Sequence, residues 1–157
     1  MKLTAYLSGG MEYADNYGAD WRSDLETWLK NKLAHDCFNP VRASEVFLET
    51  RYPGVDFRVS KLNDFEKHRQ IAKEIVQLDS REIILRSDYV ICYYDDSAQR
   101  GAGTKGELTI AALLGKPVYF VRAMDISAIP SWVIGCADEI FDSFDELKTF
   151  LGKEYSR

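Results

Sequence analysis

Short apolar runs alternate with longer, helix-patterned stretches along this chain, and that alternation limits its fold more than any other feature. Leu3 to Leu7 reads as a buried strand ended by Ser8-Gly9-Gly10. Cys37-Phe38-Asn39, Tyr89 to Tyr94, Val118 to Val121 and Ile140-Phe141 read as further strands. Between the first two, Trp21, Leu25, Trp28, Leu29 and Leu33 recur at helical spacing behind a Ser23-x-x-Glu26 capping signal. Asn63 can cap a long helix whose face carries Phe65, Ala72, Ile75, Val76 and Ile83. A helix from about Thr104 to Leu114 is stopped by Gly115, and Ser143-x-x-Glu146 opens a last one through Leu147, Phe150 and Leu151. Strands alternating with helices predict βαβ units and a parallel sheet covered on both faces. The expected fold is α/β: a doubly wound, flavodoxin-like sheet of about five strands with helices on both faces. In such sheets ligands bind beyond the carboxyl ends of the strands. Two loops fall at that edge, Ser8 to Gly18 and Asp95 to Gly103.

At 157 residues the chain is expected to form one domain, 1–157. The stretch from Val41 to Leu62 shows no clear pattern beyond one or two helical turns between Ser44 and Thr50. A segment of that kind usually means a lid, a binding loop or disorder, and 41–62 is expected to be a lid or specificity loop. The formal net charge of -5 argues against a duplex nucleic-acid partner, which needs a basic face. Free nucleosides and nucleotides remain possible ligands. No run approaches the roughly 20 apolar residues that span a membrane. The apolar stretch after Met1-Lys2 is too short for a signal peptide. Cys37, Cys92 and Cys136 are odd in number and match neither a zinc pattern nor a disulfide framework. A cytoplasmic protein without a metal is expected, with Cys92 buried and reduced.

Several residues can carry chemistry. Gly101-Ala102-Gly103-Thr104-Lys105-Gly106 matches G-x-G-x-x-G, with Asp125 downstream, but Gly101 lies well past the strand end at Tyr94, not at a tight turn. Glu107 has two readings. It closes a Thr104-x-x-Glu107 capping box, or it is an ionised carboxylate at a helix start with open space left by the glycines at 101, 103 and 106. Such a carboxylate can attack a sugar's anomeric carbon. Asp79 falls on an apolar helical stripe, where a carboxylate is either an end cap or a site group with a raised pKa. Asp95 and Asp96 follow a strand and are turn formers or site residues. Tyr6, within a strand, needs a partner for its hydroxyl if buried. Ser8, Gly9 and Gly10, with Ser97, can form a turn or a phosphate cradle. His35 and His68 are expected at the surface. No metal-ligand spacing occurs, and no serine sits in a nucleophile elbow.

Taken in order, these residues resemble a family. Tyr6-Leu7-Ser8-Gly9-Gly10-Met11 is similar to the first-strand signature of the nucleoside 2-deoxyribosyltransferase superfamily. Phe38-Asn39-Pro40, then Asp79 through Ser87-Asp88-Tyr89-Val90, then Asp95, Gly103-Thr104-x-x-Glu107 and Gly115-Lys116-Pro117-Val118, resemble the rest of its pattern. The resemblance implies a flavodoxin-like domain that forms homo-oligomers, with sites completed by a neighbouring subunit. It implies Glu107 as nucleophile toward the sugar C1′ and Tyr6 as the residue that orients it. Asp79 and Asp95 would handle the base and its proton. Ser8, Gly9, Gly10, Met11, Asp96, Ser97, Gly103 and Thr104 would contact substrate. No cofactor is implied. Ser80 competes with Asp79 for the family's acid position, Asp96 competes with Asp95, and Thr109 stands where glycine is common. Phe47, Arg51, Tyr52 and Arg58 are candidates for base stacking or phosphate contact.

The expected function is cleavage or exchange of the N-glycosidic bond of a nucleoside or nucleotide. Transfer and hydrolysis are both open, as is a requirement for a 5′-phosphate. The alternatives are a nucleotide-sensing domain without turnover and a dinucleotide oxidoreductase.

Overall fold

The computed structural model describes residues 2–156. Five parallel strands form one sheet: β1 (Thr4–Gly9), β2 (Asp36–Phe38), β3 (Tyr89–Tyr94), β4 (Val118–Arg122) and β5 (Glu139–Phe141). Their order is β2-β1-β3-β4-β5, the flavodoxin-like doubly wound arrangement. The order reverses between β1 and β3, the switch point at which sheets of this kind take their ligands. Tyr6 pairs with Val90 and Ser8 with Cys92 across that junction.

Among the described residues are eight α-helices: α1 (Ala19–Leu33), α2 (Pro40–Arg51), α3 (Phe57–Asn63), α4 (Phe65–Leu85), α5 (Asp96–Arg100), α6 (Gly103–Leu113), α7 (Ser131–Cys136) and α8 (Phe144–Tyr155). Strand residues alternate between two cores, as the pleat requires. Tyr6, Val90, Cys92, Tyr94 and Phe120 pack with Ile83 of α4, Leu108 and Ala111 of α6, and Val133 of α7. Ala5, Leu7, Tyr89, Ile91, Tyr119 and Val121 pack with Leu25 and Leu29 of α1 and Leu147 and Leu151 of α8. Both faces of β1 and β3 are therefore dry, which is why these strands read as unbroken apolar runs. No helix among the described residues is long and apolar enough to cross a membrane. All three cysteines are free, and Cys92 is fully buried.

Where the observed elements differ from expectation, capping chemistry or weak amphipathicity is responsible. Helix α1 begins at Ala19 behind Gly18, so Ser23 and Glu26 lie inside it and form no cap. Asp64, one residue past Asn63, caps α4 by accepting from Lys67 N. The expected lid at 41–62 is mostly helix. Asn39 and Pro40 start α2, and Asp56 starts α3. Few of its residues are buried, so it carries no apolar stripe to read. Tyr52 and Arg51 bind Glu74 of α4, and Phe47 packs on Tyr52, so these three residues fasten α2 to α4. Arg58 alone of the four candidates reaches the β1–α1 loop. It donates to the Met11 carbonyl and lies over the Tyr17 ring. The loop after β3 contains α5, and α7 was not anticipated.

His35 is not a surface residue. It is buried, bonded through Nδ1 to the Tyr89 hydroxyl at 2.8 Å and packed edge-on against Tyr155. His68 is half-buried and stacked on Phe57. Burial lowers the His35 pKa below its ordinary 6.5, so folding favours the neutral ring. The stability this gives is complete above pH 6.5 and is lost as pH falls from there through the lower folded value, because the unfolded chain binds the proton more readily. Compared with wild type in thermal denaturation, a His35→Gln variant is expected to be less stable at pH 8, with the gap narrowing toward pH 5. Parallel curves would contradict the burial of a neutral ring.

Candidate active site

Glu107 lies one turn into α6, and its carboxylate meets the end of β1. The Tyr6 hydroxyl donates to Oε1 at 2.8 Å, and the Ser8 hydroxyl donates to Oε2 at 2.5 Å. Tyr6 and Ser8 are two apart on the strand, so the pleat points both at α6. Both are fully buried, and each finds its partner in this one carboxylate. The capping-box reading of Thr104 and Glu107 does not hold. Thr104 is buried within the first turn, and Ala102 at the helix start has no side-chain cap. Glu107 itself is only partly buried. A Cβ placed on Gly103 or Gly106 would meet nothing within 4 Å, so the helix surface beside the carboxylate is open.

Asp79 reaches the same core from α4. It is 8% exposed, and its Oδ1 has no hydrogen-bond partner among the described residues. Burial, reinforced by the charge of Glu107, pushes its pKa up to about 8, against the opposing pull of Arg22. Burial also raises Glu107, but hydrogen bonds from Ser8 and Tyr6 and the charge of Arg22 oppose the rise. A carboxylate that accepts two hydroxyl bonds is the better seat for the charge. Asp79 is therefore the carboxyl that more readily keeps its proton, and Glu107 the one that more readily carries the negative charge. Burial raises the Tyr6 phenol well above its ordinary value, so it remains a donor. Ser80, the competitor for the acid position, has no carboxyl to offer.

The remaining candidates divide. Asp95 caps α5, accepting from Ala98 N at 3.0 Å and from the Ser97 hydroxyl at 2.5 Å, while Asp96 is exposed. Gly10 lets this helix start approach β1: a Cβ there would fall 1.9 Å from Ser97 Oγ and 2.8 Å from Ala98 N. The Ser8 and Ser97 hydroxyls are thus committed inside the protein. The carbonyls of Gly9, Gly10 and Met11 accept from arginines. Thr109 accepts from the Trp132 indole and so ties α6 to α7. The dinucleotide fingerprint fails structurally. Helix α5 stands between β3 and Gly101, and Asp125 caps a short turn by accepting from Ser127 N.

Arg22 was missed. It is fully buried on α1 and donates to the carbonyls of Leu7 at 3.1 Å, Gly9 at 2.9 Å, Gly10 at 3.3 Å and Gly18 at 2.9 Å. The signal was present, because Arg22, Leu25 and Leu29 share one helical stripe, the pattern that drew notice to Asp79. Among the described residues no group of three or more His, Cys, Asp and Glu side chains is arranged to hold a metal ion.

The raised Asp79 pKa has a consequence for stability. A carboxyl whose folded pKa lies above its unfolded value of 3.8 stabilises the fold at low pH, and that contribution is lost as pH rises through about 8. An Asp79→Asn variant is expected to be more stable than wild type, by a few degrees in Tm or more at pH 9, with the difference shrinking toward pH 4. Equal Tm values at pH 9 would contradict a buried, protonated Asp79. Glu107→Gln should in turn lower the Asp79 titration, since it removes the neighbouring charge.

Comparison with protein-family models yields no match, and comparison with curated proteins yields no relative. The geometry of Glu107, Tyr6, Ser8 and Asp79 is therefore what a functional reading has to explain.

Proposed function

We propose that the chain cleaves or exchanges the N-glycosidic bond of a nucleoside or nucleotide through a covalent glycosyl ester on Glu107. One observation carries the reading: a carboxylate held by two buried hydroxyls stands near a second, buried carboxyl that keeps its proton at neutral pH. These are the two groups a double displacement at an anomeric carbon needs. The site also lies at the switch point of a doubly wound sheet, where such folds take their ligands. The order of motifs resembling the nucleoside 2-deoxyribosyltransferase superfamily supports the same chemistry.

In the first step an oxygen of Glu107 attacks C1′ of the sugar. The C1′–N bond breaks, its electron pair leaves with the base, and Asp79 gives a proton to a ring nitrogen of that base. Tyr6 and Ser8 hold the carboxylate in its attacking orientation, so little ordering is left to the reaction itself. The product is an ester between Glu107 and C1′. In the second step water or an acceptor base attacks C1′ from the opposite side. Asp79, now ionised, takes the nucleophile's proton, and the C1′–O bond returns its electrons to Glu107. Water completes hydrolysis and a base completes transfer. Asp95 and Asp96 stand at the same edge and are proposed to orient the base. Because the Ser8 and Ser97 hydroxyls are already bonded, a substrate phosphate would have to be met by other groups.

Self-association belongs to the same proposal. Leu113 on α6 and Trp132 on α7, 85% and 69% exposed on the helical layer that carries Glu107, are the residues proposed to meet a second copy.

The test is base release from a panel of ribo- and deoxynucleosides and their 5′-monophosphates, with and without an acceptor base. Wild type should release or exchange base, and Glu107→Ala should lose at least about 10³-fold in rate. Tyr6→Phe should lose roughly 10- to 100-fold, because it removes one oriented hydrogen bond. Ligand binding without base release across the panel would favour a nucleotide sensor and end the catalytic reading.

A further inference from the structure

Arg22 has no direct part in the displacement at Glu107, yet the fold buries it completely. A buried guanidinium is costly unless its donors are met, and here backbone carbonyls meet them. None of the ion pairs among the described residues includes it. An apolar side chain would serve the packing of α1 alone more cheaply. The placement of the donors is specific. Leu7 and Gly9 flank Ser8, so Arg22 holds the main chain on both sides of the residue that binds Glu107. Gly10 and Gly18 close the β1–α1 loop onto the same guanidinium. Gly18 is suited to this by a left-handed backbone, φ 72°, and by the lack of a Cβ that would fall 2.6 Å from Arg22 Nη1. Helix α1 packs on one face of the sheet and α4 and α6 on the other, so the cation approaches β1 from the side opposite the carboxylates.

We propose that Arg22 is a positioning residue of the Glu107 site: it fixes the strand end that presents Ser8 to Glu107, and its permanent charge is the counter-charge of the Glu107–Asp79 pair. The inference rests on Glu107 and Asp79 being the working carboxyls, but its test does not need turnover. Charged and titratable groups face this pair from every neighbouring element. Tyr6 comes from β1, Cys92 from β3 with Asp95 acting on it from just beyond that strand, Glu82 from α4 beside Asp79, and Arg22 from α1. Burial keeps the Tyr6 phenol and the Cys92 thiol neutral, which leaves Arg22 as the cation acting on the carboxylates.

The experiment is a carbon-13 NMR titration of protein labelled at the Asp and Glu carboxyl carbons. Asp79→Asn and Glu107→Gln assign the two signals, and Arg22→Met and Arg22→Lys are then compared with wild type. In Arg22→Met the Asp79 titration should move up by roughly one pH unit or more, the size expected for a lost neighbouring charge. Arg22→Lys keeps the charge and loses most of the fork of hydrogen bonds. Its Asp79 titration should stay near wild type, while Glu107 titrates higher because Ser8 is less firmly held. Any base release should follow, with the alkaline limb of its pH profile moving with Asp79. A folded Arg22→Met with both titrations unchanged would reduce Arg22 to a packing residue and overturn the proposal. Should Arg22→Met fail to fold, an unchanged Glu107 titration in Arg22→Lys overturns it equally. Shifted titrations in a protein that releases no base would uphold the placement of Arg22 and count against the glycosidic reading alone.

Discussion

The hydroxyls of Tyr6 and Ser8 grip one carboxylate from a helix that begins about a hundred residues later in the chain, and much of the fold serves that contact. Tyr6 and Ser8 can both face Glu107 only if β1 is straight, central and in register with β3. Helix α6 can bring Glu107 there only if it lies flat on the β1–β3 junction, which Leu108 and Ala111 secure by packing with Tyr6, Val90 and Cys92. The strand end is set from the other face by α1 through Arg22, and from beyond by α5, whose start nests against Gly10. Were the hydroxyls buried without this carboxylate, each would cost roughly 1–3 kcal/mol as an unsatisfied group. The site is thus also part of what holds the core together.

The same place carries features that work against stability. Asp79 is buried with one oxygen unpartnered, and a charge is buried on Arg22. Proteins that keep such groups usually keep them for chemistry, since apolar residues of similar volume pack more cheaply. The two charged groups offset one another across the sheet. Glu107 is the better seat for negative charge, and the guanidinium opposes the rise of both carboxyls from the other face. Under the proposed function, a neighbouring cation of this kind would help a partly buried carboxylate carry charge where an isolated one would take up a proton more readily.

Most of the sheet was legible in the sequence because three of its five strands, β1, β3 and β4, are bounded by glycine, proline or aspartate and lie buried, leaving continuous apolar runs. Glu107 and Asp79 were legible because each breaks a local rule, one beside glycines and the other on an apolar stripe. Helices α2 and α3 were not, since they rest on the surface and bury few residues. The start of α1 was misread because Gly18, with no side-chain cap, precedes it, while Ser23 and Glu26 imitate a cap further on. The capping box at Thr104 misled for a related reason. Sequence spacing cannot show that Glu107 turns toward hydroxyls on a distant strand and away from its own helix start. The roles of Ser8 and Ser97 were likewise hidden, because a serine beside glycines reads as an anion cradle until its actual partner is known. His35 was hidden by the left-handed Ala34 before it, which turns the chain so that the imidazole enters the tyrosine cluster.

The account stands on an ester forming at Glu107. Mixing wild-type protein with a substrate that releases base, quenching in acid within milliseconds to seconds, and mapping the peptides by mass spectrometry tests this directly. The peptide containing Glu107 should gain the mass of one glycosyl unit, the gain should disappear as free sugar or exchanged nucleoside accumulates, and Glu107→Gln should never show it. Base release at full rate with the Glu107 peptide unmodified at every time point would contradict the covalent mechanism.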